Sequence, residues 1–277
     1  MPKCIFLDVD GTLTNYDNQI PLSAIQAIQT ARQNGHKVFT VTGRSKAEMY
    51  DEILAIGFDG YIGGNGSYIE LGQDVLYEKC LSAVDSRAIR QWLDQRGLEY
   101  YIESNHGLYA SPGFEKRGQS TMMAYAAYKG QDGADQMTVR RAFPEMIFDG
   151  DLERNDLNKV SFILESYQDY LDAKAAFPHL KVGTWGGQGE KALFGDIGVA
   201  NIDKGQAVAF LLAYLGCSRQ DSLAFGDAKI DIPMLDYCQV GVAMGSGGQE
   251  IKAMADYVTD GVDQDGLYHA FKHFDLI

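Results

Sequence analysis

Proline is scarce, six residues in 277, which excludes a proline-rich linker protein. Cysteine is scarcer still. Cys4, Cys80, Cys217 and Cys238 stand far apart with no CxxC pair, so neither a zinc framework nor a disulfide scaffold is expected. No run approaches the roughly 18 apolar residues of a spanning helix. The apolar stretch near the amino terminus is broken by Asp8 and Asp10, unlike the core of a signal peptide. Positive charge is short as well: 24 Lys and Arg face 38 Asp and Glu, a formal charge of −14 with a pI near 4.7. Such a chain repels phosphate backbones and anionic lipid at long range, so neither nucleic acid nor membrane is an expected partner. A soluble, cytoplasmic protein of a reducing compartment is expected. Its composition, 45% hydrophobic and 22% charged, is that of a folded domain and excludes wholesale disorder.

Several nucleotide and hydrolase signatures are also missing. There is no Gly-Lys dipeptide and hence no Walker A loop, and Gly64-x-Gly66 and Gly245-x-Gly247 both lack a third glycine. Met244 takes the first glycine position of a serine elbow at Ser246. His269 and His273 lie one helical turn apart but have no third zinc ligand in the sequence.

What is present is an alternation of strand and helix at both ends. Lys3–Val9 reads as a strand buried on both faces, and residues 21–34 switch to helical period with Gly35 as the stop. A second buried strand follows at Lys37–Val41, then a helix from about Lys46 to Ile56. The pattern returns late: helix 204–215, strand 222–225, helix 232–237, strand 240–244, helix 249–255, strand 257–259 and helix 266–274. This order predicts a parallel sheet with right-handed crossovers. The middle differs. Amphipathic helices (85–96, 167–176), looser strands (98–102, 159–164, 180–185) and exposed-looking Tyr100, Tyr101, Tyr109, Tyr125 and Tyr128 suggest an insertion with its own core. The expected fold is α/β: a doubly wound, Rossmann-like core from residues 1–82 and 198–277, with a smaller α/β cap at 83–197. No signature of oligomeric state is present.

The chemistry concentrates where strands end, the edge at which open α/β sheets bind ligands. Asp8-Val9-Asp10-Gly11-Thr12 puts two carboxylates and a tight turn after the first strand. Such a pair can hold one hard cation, and an aspartate can attack phosphorus. Thr42-Gly43-Arg44 follows the second strand, where a hydroxyl and a glycine N–H can hold phosphoryl oxygens. Lys204-Gly205 opens a late helix and offers an ammonium. Gly226-Asp227, with Asp231 four residues on, follows another strand. Each piece alone has an ordinary reading, as turn, solvated lysine or helix cap. Their order and placement together do not.

These residues resemble the haloacid dehalogenase superfamily of aspartate-nucleophile phosphatases, and within it the Cof-like sugar-phosphatase branch. The motifs are Asp8–Leu13, Thr42–Arg44, Lys204-Gly205 and Gly226-Asp227 with Asp231. Gly63–Gly66 resembles the family's Asn-Gly turn, and Val242–Gly245 with Ala255–Thr259 and Asp265-Gly266 its carboxyl-terminal signature. The resemblance implies Asp8 as nucleophile and Mg²⁺ ligand, and Asp10 as general acid/base whose backbone carbonyl also reaches the metal. It implies Thr42, Gly43 and Lys204 as holders of the phosphoryl group, Asp227 as the remaining metal ligand and Asp231 as its support. The substrate implied is a small phosphate ester, a sugar phosphate or phosphorylated cofactor, with the cap selecting it. A phosphomutase and a phosphate-binding protein of weakened turnover are the alternatives. Two departures stand out: Ile230 where the family has Asn, and Met244-Gly245-Ser246-Gly247 in place of Met-Gly-Asn. An apolar side chain cannot make the polar contact of Asn, so turnover weaker than the relatives' or an altered substrate is expected. On the first reading Ile230→Asn raises phosphate release from an ester substrate; unchanged or lower turnover counts against it.

Overall fold

The computed structural model describes residues 2–277. The chain enters through β1 (Cys4–Leu7), α1 (Leu22–Gln33), β2 (Lys37–Val41), α2 (Asp51–Leu54), β3 (Gly60–Gly63), β4 (Tyr68–Leu71) and β5 (Asp74–Glu78). A middle section follows: α3 (Ala83–Arg96), β6 (Tyr100–Ser104), β7 (Gly107–Ala110), α4 (Phe114–Arg117), α5 (Gln119–Tyr128) and α6 (Val139–Ala142). It continues with β8 (Met146–Ile147), β9 (Leu157–Ile163), α7 (Tyr167–Ala176), β10 (Lys181–Trp185) and β11 (Phe194–Gly198). The last section runs α8 (Lys204–Leu215), β12 (Ser222–Gly226), α9 (Ile232–Tyr237), β13 (Val240–Ala243), α10 (Gln249–Met254), β14 (Tyr257–Val258) and α11 (Gly266–His273).

Two compact units result. One holds the chain up to Arg44 with Met49–Glu78 and Ile202–Ile277; the other holds Lys79–Asn201 and the short segment Ser45–Glu48. The sequence placed the boundaries at 82/83 and 197/198 and did not anticipate the separate 45–48 piece.

The first unit is built on one sheet in the order β14-β13-β12-β1-β2-β3-β4-β5. From β14 to β3 the pairs are parallel; β4 and β5 add an antiparallel hairpin. β1 is central, with Leu7 opposite Phe225 on one side and Thr40 on the other. Its residues are apolar without alternation because both faces are covered. Ile5 and Leu7 pack with Ala27, Ile28, Phe225 and Phe271, while Phe6 packs with Phe39, Val208 and Leu211. Burying aliphatic and aromatic side chains on both faces is the main stabilising term, each contributing about 1.5–3 kcal/mol. It also fixes where three neighbouring strands end, and so where Asp8, Thr42 and Asp227 emerge.

The expected helix over 46–56 is broken. Glu48 accepts from the Ser45 amide at 2.8 Å and its hydroxyl at 3.0 Å, closing a single tight turn, and Tyr50 is extended, so α2 begins only at Asp51.

The cap unit carries a sheet in the order β10-β11-β9-β6-β7-β8. Trp92 of α3 meets Phe162 and Phe177 edge-on, which covers one face. On the other, Phe114, Met122 and Val139 of α4–α6 pack with Tyr101, Leu108, Ala110, Ile163 and Phe194. The tyrosines read as exposed are therefore mostly interior. Tyr100, Tyr101 and Tyr109 are buried and Tyr125 half-buried; Tyr128 alone of the five is exposed. Tyr100 and Tyr101 sit on a strand covered on both faces, which the sequence pattern did not reveal.

One buried charge stands on this sheet. Glu103 accepts from Ser161 Oγ at 2.7 Å and pairs with Lys159 Nζ at 3.2 Å, with Glu48 and Tyr101 close by. Burial pushes its carboxyl up to about 7, although Lys159 draws it down. A raised acid favours the fold while protonated, so this contribution is complete below the ordinary carboxylate range and is lost as pH rises through about 7. Melting curves of the full chain from pH 5 to 8.5 check it: wild type loses more stability over that window than Glu103→Gln. Parallel curves would contradict it.

Candidate active site

Asp8 leaves β1 with its amide still bonded to the Phe225 carbonyl, 3.0 Å. The chain then turns back at once: Leu13 and Thr14 both donate to the Val9 carbonyl, and Gly11 donates to Thr14. Gly11 has φ +82°, and a β-carbon there would lie 2.2 Å from Asp227 Oδ2. Only glycine satisfies both the left-handed backbone and the close approach of the second carboxylate loop. Gly247 plays a related part, since a β-carbon on it would press on the Asp227 carbonyl at 2.7 Å.

The centre of the site is an ammonium between two carboxylates. Lys204, the first residue of α8, places Nζ 2.6 Å from Asp8 Oδ1 and 2.5 Å from Asp231 Oδ1. All three side chains are almost entirely out of water: 1% of Lys204, 7% of Asp8 and none of Asp231 is exposed. Asp231 Oδ2 also accepts from the Asp227 and Ala228 amides at 3.2 and 3.0 Å. It caps the turn into α9 and holds Lys204 with the same carboxylate. Burial alone would lower the Lys204 ammonium, but Asp231 and Asp8 raise it above its ordinary value, so it stays charged. Asp8 is held well above the usual carboxylate range by burial and by the neighbouring Asp231, against the pull of Lys204.

Asp8, Asp227 and Asp231 can each present a carboxylate oxygen such that the three atoms lie within 4.8 Å of one another. Hard oxygens in excess over nearby cations suit a small divalent ion, so the residues present fit Mg²⁺. Asp227 is also engaged by Tyr16, whose hydroxyl donates to Asp227 Oδ2 at 2.6 Å. Burial and the adjacent Asp227 push that phenol up, so it remains a donor. Asp10 is not one of these three, though its charge is near enough to raise the Asp8 carboxyl further. Its carboxylate is gripped by Arg44, with Nε at 3.0 Å from Oδ2 and Nη2 at 2.6 Å from Oδ1.

Thr42 and Gly43 stand at the end of β2, next to β1. The Arg44 amide donates to Thr42 Oγ1 at 3.1 Å, and the Asn65 amide donates to the Thr42 carbonyl at 3.0 Å. The Asn65 amide oxygen and the Thr12 hydroxyl are buried with no hydrogen-bond partner. Of the expected residues, then, Asp8, Lys204, Asp227 and Asp231 meet directly. Arg44 links Asp10 to the Thr42–Gly43 loop, its side chain holding the Asp10 carboxylate and its amide donating to Thr42. Ile230 is 43% exposed. The sequence missed Tyr16, which lies in no motif, and Arg44, whose motif was evident although the direction of its side chain was not.

The family model of haloacid dehalogenase-like hydrolases matches residues 5–271. The chain belongs to that family. Its Cof-type branch contains phosphatases, and this protein is one of them by kind. YkrA of Bacillus subtilis (strain 168) is 28% identical over 275 residues, covering 99% of this chain and 98% of that one. A solved structure from Geobacillus kaustophilus HTA426 aligns over 100% of both chains at 26% identity with a TM-score of 0.84. The HAD subclass IIB sugar phosphatase BT4131 aligns over 99% of this chain and 100% of its own, at 25% identity and TM-score 0.74.

The Lys204 contacts carry a measurable consequence. Lys204→Met leaves two buried carboxylates without their partner and destabilises the protein by about 3–5 kcal/mol in urea unfolding at pH 8. The loss shrinks at pH 5, where Asp8, held above the usual carboxylate range by burial, takes up a proton. A loss under about 1 kcal/mol, in the range of an exposed pair, would contradict the buried arrangement.

Proposed function

We propose that this enzyme is a Mg²⁺-dependent phosphatase that hydrolyses a small phosphorylated metabolite, of the sugar-phosphate kind, through an aspartyl-phosphate on Asp8. The observation that carries the reading is the buried Asp8 held by Lys204 beside Asp227 and Asp231. The sugar phosphatase among the similar structures supports the substrate class.

In the first step Asp8 forms a bond to phosphorus as the ester P–O bond breaks, and Asp10 gives its proton to the leaving alkoxide. In the second, water passes a proton to Asp10 and attacks phosphorus, releasing inorganic phosphate and restoring the Asp8 carboxylate. The Thr42 hydroxyl, the Gly43 N–H and the Lys204 ammonium stabilise the charge spread over the phosphoryl oxygens, where phosphoryl transfer gains most of its rate. Lys204 also fixes the Asp8 oxygen in place, and the Arg44 grip sets the orientation of Asp10. Asp8 and Asp227, with the Asp10 backbone carbonyl, would hold Mg²⁺, which would supply neutralising charge. Asp231 supports Asp227 by capping its loop.

Release of inorganic phosphate from p-nitrophenyl phosphate tests this. Wild type is active with Mg²⁺ and silent in EDTA, and Asp8→Asn lowers kcat by about 10³-fold or more. Activity that survives Asp8→Asn or needs no divalent ion would overturn the proposal.

A further inference from the structure

Three carboxylates meet at the strand ends, and donors of different kinds hold them. The Lys204 ammonium takes Asp8 and Asp231. Asp227 takes a phenol: the Tyr16 hydroxyl donates to its Oδ2 at 2.6 Å. Neither the packing of the core nor the steps of hydrolysis call for that contact. Tyr16 belongs to neither of the two apolar clusters that cover the faces of the β1 sheet, and it is 41% exposed. A ring placed for packing would be buried in one of them. Here the ring stays partly in water while its hydroxyl reaches a carboxylate that is 4% exposed.

The loop that carries Tyr16 is built to keep it there. Asn15 Oδ1 accepts from the Asp17 and Gln19 amides at 3.0 and 2.9 Å, and Asn15 Nδ2 donates to Asp263 Oδ1 at 2.9 Å. Asn18, at φ +59°, donates its amide to the Asn15 carbonyl at 3.0 Å, and its Oδ1 accepts from Arg44 Nη2 at 2.7 Å. The chain is thus pinned on both sides of Tyr16. Gly11 makes room at the same oxygen, since a β-carbon there would lie 2.2 Å from Asp227 Oδ2. The Asp227 backbone is fixed as well: its amide donates to Asp231 Oδ2 at 3.2 Å, and its carbonyl accepts from the Gly248 amide at 3.0 Å. Those backbone bonds do not set the rotation of the carboxylate. The phenol does.

We propose that Tyr16 is a positioning residue for the divalent cation: by fixing Asp227 Oδ2 it orients that carboxylate for the ion and tightens the ion's binding. This rests on the reading of the protein as a Mg²⁺-dependent phosphatase and adds a residue to it. The kind of donor matters. An ammonium cancels the charge of the carboxylate that it meets, whereas a phenol orients a carboxylate and leaves its full charge to attract a cation. A ligand whose rotamer is already chosen also spares the ion the entropy of ordering it. Hydrogen-bond partners of metal ligands typically carry about 10–100-fold in metal affinity.

The test needs no turnover. The full chain, without substrate, is titrated with Mn²⁺, an oxygen-seeking substitute for Mg²⁺, and the free ion is counted by its electron paramagnetic resonance signal. Tyr16→Phe keeps the ring and removes only the donor, and a circular dichroism spectrum like that of wild type shows that it is folded. Its dissociation constant for Mn²⁺ rises about tenfold or more, and Asp227→Asn weakens binding further. The Mg²⁺ concentration for half-maximal phosphate release from p-nitrophenyl phosphate rises in Tyr16→Phe by the same factor. Unchanged or tighter Mn²⁺ binding by folded Tyr16→Phe, beside weakened binding by Asp227→Asn, would overturn this inference and leave the metal reading standing. Wild type that binds no Mn²⁺, or binding that Asp227→Asn leaves intact, would overturn both.

Discussion

One buried ammonium organises the cluster of carboxylates at the strand ends. Lys204 sits between Asp8 and Asp231, almost fully removed from water, and each partner belongs to a different loop. Without that cation, three carboxylates could not be packed at adjoining strand ends, because burying like charges together is among the costliest arrangements in a protein. The helix that begins at Lys204, the strand that ends at Asp8 and the turn capped by Asp231 are therefore held in a common register by a charge network. The same network leaves Asp8 fixed and almost fully out of water.

The backbone around this centre is shaped to match. Gly11 and Gly247 let the turn after β1 and the loop after β13 approach Asp227 to distances that a side chain would block. Arg44 grips Asp10 and so links the end of β2 to the turn after β1. The Tyr16 hydroxyl donates to Asp227 Oδ2. Each carboxylate in the site thus has a named donor, which explains how so acidic a cluster is tolerated within a chain that already carries an excess of negative charge.

Much of this could be read from the sequence, for a physical reason. Strands buried on both faces are short unbroken apolar runs, and the polar residue that ends each run is placed by the sheet. Asp8, Thr42 and Asp227 were legible on that ground, and Lys204 because a helix begins there. Side-chain direction was not legible: nothing in the spacing shows Arg44 turning toward Asp10 or Tyr16 reaching across 211 residues to Asp227. The cap was read less well. Tyr100 and Tyr101 look like surface residues until α3 on one face and α4–α6 on the other are known to cover β6. The helix expected over 46–56 failed because Glu48 turns back on Ser45, a local bond that periodicity does not register.

The central claim concerns Asp8, and it is tested most directly by chemical trapping. Brief incubation with a ³²P-labelled phosphate ester and Mg²⁺, acid quenching and peptide mapping should place the label on the peptide containing Asp8, through an acyl bond that hydroxylamine cleaves. Label on any other peptide, or none during steady turnover, would contradict the account.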